Sequence, residues 1–323
     1  MSKMKSFFSS IALVLLSSLV LNACDEAPVE PLRLGSSPWP GYEPLYLARD
    51  LGYLDEEKVN LFELPSADIT MESFRNRSTD VATLTLDETL ELLDQNTKMR
   101  ILLIMDISHG GDAVLVRPEI KKLSDIKGKR IATVNIPLGL YMLNRLLDKA
   151  GVSREEVEVF PMAETKQLKF YNDGKADVVI TFEPVKTKLI EAGAHVIFDS
   201  SMIPNEIFDM LVVHEDVFYK RKDALCDITS KWFRTLTYME NNRDDAALRI
   251  TKRLGLNVSD YDALLDGIKF PDVKTNQKLL GGKVPGLSNP GKRLSKIMLE
   301  EELISKSIDV NDAIEKSFAE CFK

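Results

Sequence analysis

The chain has 323 residues, with 42 Lys and Arg against 50 Asp and Glu, and a formal net charge of −8 at pH 7. This acidic balance argues against nucleic-acid binding, because proteins of that class carry a basic surface. The length exceeds what one hydrophobic core usually serves, so two domains or lobes are expected.

The first 23 residues have the pattern of a secretory signal peptide. Lys3 and Lys5 precede the mostly apolar run "FFSSIALVLLSSLVL", which is shorter than the roughly 20 residues of a membrane span. The run ends in "LNAC", which resembles the lipobox of bacterial lipoproteins. This resemblance implies cleavage before Cys24, acylation of that residue and attachment to a membrane. The alternative is an ordinary secretory signal with an incidental cysteine. Asp25 resembles the signal that keeps lipoproteins at the inner membrane of enteric-type bacteria.

After a short tether at 24–31, predicted strands and helices alternate. The first series contains the strands "LRLGSS", "KVNLFELP", "STDVATLTL" and "MRILLIM", with helical spacing between them. The pattern restarts after Asp112 and gives a second series of similar size. Such alternation is typical of mostly parallel sheets covered by helices. From "RKDALCDITSKWF" onward the chain is predicted to be helical, without a clear strand.

These elements predict an α/β protein of two lobes with a C-terminal helical segment. The simplest assembly has two crossings between the lobes, near 112–116 and 209–214. Lobe one then comprises 32–112 plus 215–323, and lobe two comprises 113–214. Apart from Cys24, the chain has Cys226 and Cys321. An even number in an oxidising compartment suggests a disulfide, and two buried free thiols are the alternative.

Six segments in a fixed order carry a family resemblance. They are "SPWPGYEPLYLARDLGYL", "LTLDE", "MDISHGGDAVLVRP", "SDIKGKRIAT", "DVVITFEPV" and "DSSMIPNEIFDMLVV". Together they resemble substrate-binding proteins of ABC importers in the nitrate/sulfonate/taurine and thiamine-precursor (NMT1/THI5-like) group. The resemblance implies a type II periplasmic-binding-protein fold, with a ligand held between lobes that close about a hinge. It also implies a monomer without a cofactor that delivers its ligand to a permease with an ATPase.

In folds of this kind ligands lie beyond the carboxyl ends of the parallel strands. The segment "MDISHGGD" ends one predicted strand and begins the first crossing, where Gly110 and Gly111 suit a hinge. The same rule places Asp209 near the return crossing. It also gives the candidate ligand-binding residues Trp39, Tyr42, Ser66, Thr85, Asp87, Asp106, Ser108, Asp112, Asn135, Gly139, Thr181, Glu183 and Glu206.

Several candidates have a structural alternative. Asp87 and Glu183 could be acids that stabilise a helix N-terminus. Trp39 could pack beneath its own loop, and Ser66 could be a helix N-cap. The segment 106–112 could be a solvated polar turn. Each alternative makes a prediction about burial and hydrogen bonding that the structure can decide.

The candidate set is rich in carboxylates and has no Arg or Lys at a predicted strand end. Nitrate and sulfonates need backbone amides at a helix start, or Arg and Lys. Carboxylates beside Trp39 and Tyr42 instead suit a cationic or heteroaromatic ligand. We therefore expect a small nitrogenous solute. An anion binder of the same fold and a ligand-sensing lipoprotein are the alternatives.

No catalytic or metal-binding motif accompanies these residues. The chain lacks GxSxG, HExxH and a Walker loop, and it has only three histidines. We expect no enzymatic activity, no metal and no cofactor, and a location on the periplasmic side of a bacterial membrane.

Overall fold

The computed structural model describes residues 30–322. The expected signal peptide at 1–23, the lipidation site Cys24 and almost all of the tether at 24–31 lie outside the described residues. No helix within 30–322 is both long enough and apolar enough to cross a bilayer.

Two β-sheets organise the described chain. One has six strands in the order β11–β4–β10–β3–β1–β2 (sheet A), and the other has five in the order β7–β6–β8–β5–β9 (sheet B). The strands are β1 Leu32–Ser36, β2 Val59–Glu63, β3 Val81–Thr85, β4 Met99–Ser108, β5 Ala113–Val116, β6 Arg130–Val134, β7 Glu158–Met162, β8 Val178–Thr181, β9 His195–Asp199, β10 Phe208–His214 and β11 Ile268–Lys269.

Helices cover the sheets and form the C-terminal segment. The residues Ile101–Met105 of β4 are at most 1% exposed, as expected for a central strand that is covered on both faces. The helices are α1 Glu43–Asp50, α2 Ala67–Arg75, α3 Leu86–Asp94, α4 Pro137–Ala150, α5 Glu164–Asn172, α6 Val185–Glu191, α7 Glu215–Lys220, α8 Lys222–Asn241, α9 Arg243–Leu254, α10 Tyr261–Asp266, α11 Val273–Leu280 and α12 Ser288–Glu300. The predicted two-lobed α/β fold is confirmed.

The strand order corrects one predicted boundary. Strand β10 pairs antiparallel with β3 and β4, so it belongs to sheet A and not to lobe two. The chain therefore returns between β9 and β10, in 200–207, instead of near 209–214. The sequence could not show this, because a buried run such as "FDMLVVH" has the same pattern in either sheet. The first crossing lies in 109–112, between β4 and β5, just before the predicted position near 112–116.

The C-terminal segment also reaches the crossing. The carbonyl of Gly267 accepts hydrogen bonds from the backbone N–H groups of His109 (2.8 Å) and Gly111 (3.0 Å). The two residues after it form β11 on the edge of β4, a strand that the sequence did not predict. A disulfide joins Cys226 on α8 to Cys321, with the Cα atoms 5.3 Å apart.

Candidate ligand-binding cleft

A cleft separates the two sheets where the carboxyl ends of their parallel strands meet. The cavity between its walls has a volume of only about 20 Å³, so the walls lie close together. Its lining residues come from both lobes and from the first crossing: Ser37, Pro38, Trp39, Tyr42, Ala67, Thr83, Thr85, Glu88, Asp112, Ile136, Leu138, Phe182 and Asp209.

Trp39 connects the two lobes at this cleft. Its indole N–H donates a hydrogen bond of 3.0 Å to Oδ2 of Asp106. Gly41 makes room for this bond, because a Cβ there would lie 1.8 Å from that oxygen. The ring also lies against Gly111 of the crossing and meets Phe182 of lobe two edge-on, with centroids 5.9 Å apart. Trp39 thus packs beneath its loop and lines the cleft at once.

Asp106 and Asp209 face each other at the end of sheet A. They are register partners on the neighbouring strands β4 and β10. The Tyr42 hydroxyl donates to Oδ1 of Asp209. Burial raises the pKa of Asp106 to about 7. Burial, followed by the negative charge of Asp106, raises the pKa of Asp209 well above its usual range.

Two further acids come from the start of α3. Thr85 and Glu88 form a capping box, in which Oε2 of Glu88 accepts from the Thr85 N–H at 2.9 Å. The other carboxylate oxygen, Oε1, is buried without a donor, and so is Oδ2 of Asp87. Burial raises the pKa of Asp87 to about 7 and that of Glu88 well above its usual range. The helix-start role therefore holds for Glu88 and leaves half of each carboxylate unpaired.

The first crossing supplies one lining acid and a network that holds it. The Ser108 hydroxyl accepts from the Asp112 N–H at 3.2 Å and lies 2.7 Å from the hydroxyl of Ser200. These hydrogen bonds hold Ser108 within the crossing, and Ser108 does not line the cleft. Asp112 does, and burial raises its pKa to about 6 although the positive charge of Lys186 opposes the shift.

Lobe two contributes mostly apolar surface, from Ile136, Leu138 and Phe182. The Thr181 hydroxyl at the end of β8 is buried without a hydrogen-bond partner. Glu183 instead faces its own helix, where it accepts from the Thr187 N–H at 3.1 Å and lies 3.5 Å from Nζ of Lys186.

Four other candidates lie away from the cleft lining. Asn135 is exposed. The Gly139 carbonyl accepts from Thr133, in a place where a Cβ would clash with the backbone. Ser66 is the N-cap of α2, but its hydroxyl bonds to Asp68 and not to the helix backbone. Glu206 faces a separate cavity, where it binds Tyr141 and Arg145.

The structure therefore brings Trp39, Tyr42, Thr85 and Asp112 together as lining residues, with Asp106 and Asp87 behind them. The apolar residues Ile136, Leu138 and Phe182 were missed, because the strand-end rule had been applied to polar and small residues only. Glu88 was also missed, because it lies within the first turn of α3 and not directly at the end of a strand. Within 30–322 no group of three or more His, Cys, Asp or Glu side chains could hold a metal ion.

Comparison with known proteins gives a consistent result. The alkanesulfonate-binding protein SsuA from Xanthomonas axonopodis pv. citri, bound to MOPS, has a TM-score of 0.75 and 15% identity over 90% of this chain and 99% of its own. The periplasmic aliphatic sulphonate binding protein SsuA from Escherichia coli has a TM-score of 0.73 and 16% identity, over 89% of this chain and 92% of its own. The desulfurization enzyme DszB has a TM-score of 0.65 and 15% identity, over 90% of this chain and 98% of its own.

These identities establish the fold and not the ligand. No curated protein matches the chain. A family model described as NMT1/THI5 like matches residues 39–246, which is more than half of the chain. The six sequence segments, the two-lobed fold and this match agree: the chain belongs to the NMT1/THI5-like family.

Proposed function

We propose that this protein is the substrate-binding component of an ABC importer, held on the periplasmic side of a membrane by lipid on Cys24. Its ligand is a small nitrogenous solute, cationic or heteroaromatic, that is captured between the lobes. The proposal is supported by the fold, by the family and by the likeness to periplasmic binding proteins. The ligand class comes from the cleft alone.

The observation that carries the ligand class is the excess of buried carboxylates. Five acids at or beside the cleft are each at most 3% exposed: Asp87, Glu88, Asp106, Asp112 and Asp209. Among the residues in 30–322 that line the cleft there is no Arg and no Lys. Buried oxygens without donors are costly, at about 1–3 kcal/mol each and more when charged. A ligand with N–H groups or a positive charge would satisfy them.

Capture follows from the arrangement of the two lobes. The acids on sheet A would hold the ligand, and the apolar surface of lobe two would close over it by rotation about 109–112 and 200–207. Excluding water from the closed cleft lowers the local dielectric and strengthens the contact between ligand and carboxylates. Lipid on Cys24 would keep the closed form near its permease.

Two other functions use the same geometry. An anion binder is favoured by the likeness to sulfonate-binding proteins. It would require the carboxyl groups to remain protonated and to donate hydrogen bonds, which their raised pKa values allow. A lipoprotein that senses its ligand and signals to a membrane partner would bind in the same way as a transporter.

Thermal unfolding of the form that begins at Asp25 tests the ligand class. The panel contains amines, amidines, aminopyrimidines, nitrate and sulfonates. A ligand at 100 times its Kd stabilises the folded state by about 2.7 kcal/mol. Shifts from the nitrogenous compounds that disappear in Glu88→Gln and persist in the control Asn135→Ala support the proposal. Shifts from nitrate or sulfonates alone would refute it.

A further inference from the structure

Two acids oppose each other directly at the floor of the cleft. Asp106 and Asp209 are register partners across antiparallel strands, where opposite Cβ atoms are about 4.5–5.5 Å apart. Asp106 is fully buried and Asp209 is 3% exposed. Like charges that face each other across a sheet are destabilising, and a buried site screens the repulsion poorly.

The neighbouring donors satisfy only part of this pair. The Trp39 N–H binds Oδ2 of Asp106, and the Tyr42 hydroxyl binds Oδ1 of Asp209. Oδ1 of Asp106 has no donor, although it is buried. A proton on one carboxyl group would supply the missing donor and would remove the repulsion in the same step.

Within 30–322, no Lys or Arg is paired with either acid in place of that proton. Tyr42 after β1 and Asp112 in the crossing act on the pair directly. On α3, Glu88 acts on Tyr42, and Asp87 interacts with Asp112. Lys186 on α6 acts on Asp112, and its Nζ is bound to the Gly110 carbonyl at 3.0 Å. On the outer side of β4, β11 places Lys269 beside Ile107. His109 follows β4 and is half-buried.

We propose that Asp106 and Asp209 share one proton in the ligand-free protein and release it when a cation enters the cleft. The proton leaves a carboxyl O–H group for water or a buffer base, and the carboxylate that remains accepts a hydrogen bond from an N–H group of the ligand. The charge of the site is unchanged by the exchange. The shared proton of the ligand-free protein requires no ligand, whereas its release on cation binding rests on the proposed function.

This exchange links binding to pH. Release of one proton for each cation bound makes the affinity rise about tenfold per pH unit while the pair is protonated. The protein would therefore hold its ligand more tightly at pH 8 than at pH 5, and acidification would favour release. An anion that accepts hydrogen bonds from the protonated pair would show the opposite dependence.

The first arm of the test uses the ligand-free protein. Both pKa values are raised on folding, so between about pH 4 and pH 7 the native state binds more protons than the unfolded state. Stability should therefore fall as the pH rises through this window. Asp209→Asn keeps the shape of the pair, offers Asp106 an amide N–H and removes one acid. We expect a flatter dependence of Tm on pH and a Tm several degrees higher at pH 8.

The matched control is Glu183→Gln, which removes a buried acid that faces its own helix. The Tm of this variant should change with pH in parallel with the Tm of the wild type from pH 5 to pH 8. Parallel curves for the wild type and Asp209→Asn would overturn the shared proton. If Asp209→Asn does not fold, Asp106→Asn takes its place. In addition, the infrared C=O stretch of a protonated carboxyl in the wild type at pH 7 gives an independent reading, and its absence would also overturn the proposal.

The second arm measures proton release by calorimetry with benzamidine, which stays cationic throughout this pH range. Titrations in two buffers of different ionisation enthalpy should give close to one proton released per cation bound, and close to none in Asp209→Asn. Binding without proton release refutes the exchange but not the cation-binding function. If no cation in the panel binds while the first arm succeeds, the ligand class and the exchange fail and the shared proton stands.

Discussion

The two sheets end in different chemistry at the same cleft. The end of sheet A carries the opposed acids Asp106 and Asp209, with Glu88 one turn into the helix that follows β3. The end of sheet B carries Ile136, Leu138 and Phe182 after its strands. Both sheets are built from the same strand–helix alternation. The difference therefore comes from the few residues after each strand, and not from the fold.

This contrast assigns a separate task to each lobe. Sheet A has the charged groups that would recognise a ligand, and sheet B has the apolar surface that would exclude water from it. The ligand should therefore engage lobe one first, before lobe two closes. Changes in lobe one should alter which ligands bind, and changes in lobe two should alter how long they stay bound.

The largest effect is expected from Glu88→Gln. The substitution keeps the capping box, because Gln also serves at that position, and removes one buried carboxyl group from the lobe-one wall. Loss of one partner of a buried charge pair costs about 2–5 kcal/mol, so affinity for a cationic ligand should fall at least about thirtyfold by calorimetry. Unchanged affinity would show that Glu88 serves the helix alone.

Trp39→Phe should have the next largest effect. It removes the N–H that binds Asp106 and leaves that buried carboxyl without its donor, at a cost of about 1–3 kcal/mol. Chemical denaturation at pH 8 should show this loss. Since Phe keeps most of the ring contacts with Gly111 and Phe182, an unchanged free energy of unfolding would mean that packing alone fixes Trp39.

Leu138→Ala tests the covering lobe. Leu138 is 4% exposed and lines the cleft, and a partly lost apolar contact costs about 1–2 kcal/mol. In stopped-flow measurements the dissociation rate should rise about tenfold while the association rate stays within about twofold. A slower association rate would place Leu138 in the first encounter and would contradict the division of tasks.

The smallest effect is expected from Glu206→Gln. Its carboxylate binds Tyr141 and Arg145 in a separate cavity, so ligand affinity should change less than about twofold. Stability should fall by about 1 kcal/mol through the weakened hydrogen bonds. A large loss of affinity would instead mean that this second cavity takes part in closure.

Much of the fold could be predicted, because strand–helix alternation and buried apolar runs report local structure directly. The strand-end rule also selected Trp39, Tyr42 and Asp112, which line the cleft, and their role in ligand binding stays a prediction. Strand pairing could not be predicted in the same way. The position of β10 in sheet A depends on contacts with β3 and β4, which no local sequence pattern encodes. The orientation of Glu183 was equally hidden, since an acid after a strand can face the cleft or its own helix.

Trp39 has a practical consequence as an optical reporter. The chain has two tryptophans, and the other, Trp232, is buried on α8 and does not line the cleft. The indole of Trp39 touches a titrating carboxyl, the crossing and the opposite lobe, so its emission should respond to protonation, ligand entry and lobe movement. With Trp232→Phe as background, the unlabelled protein would report each of these events through its own fluorescence.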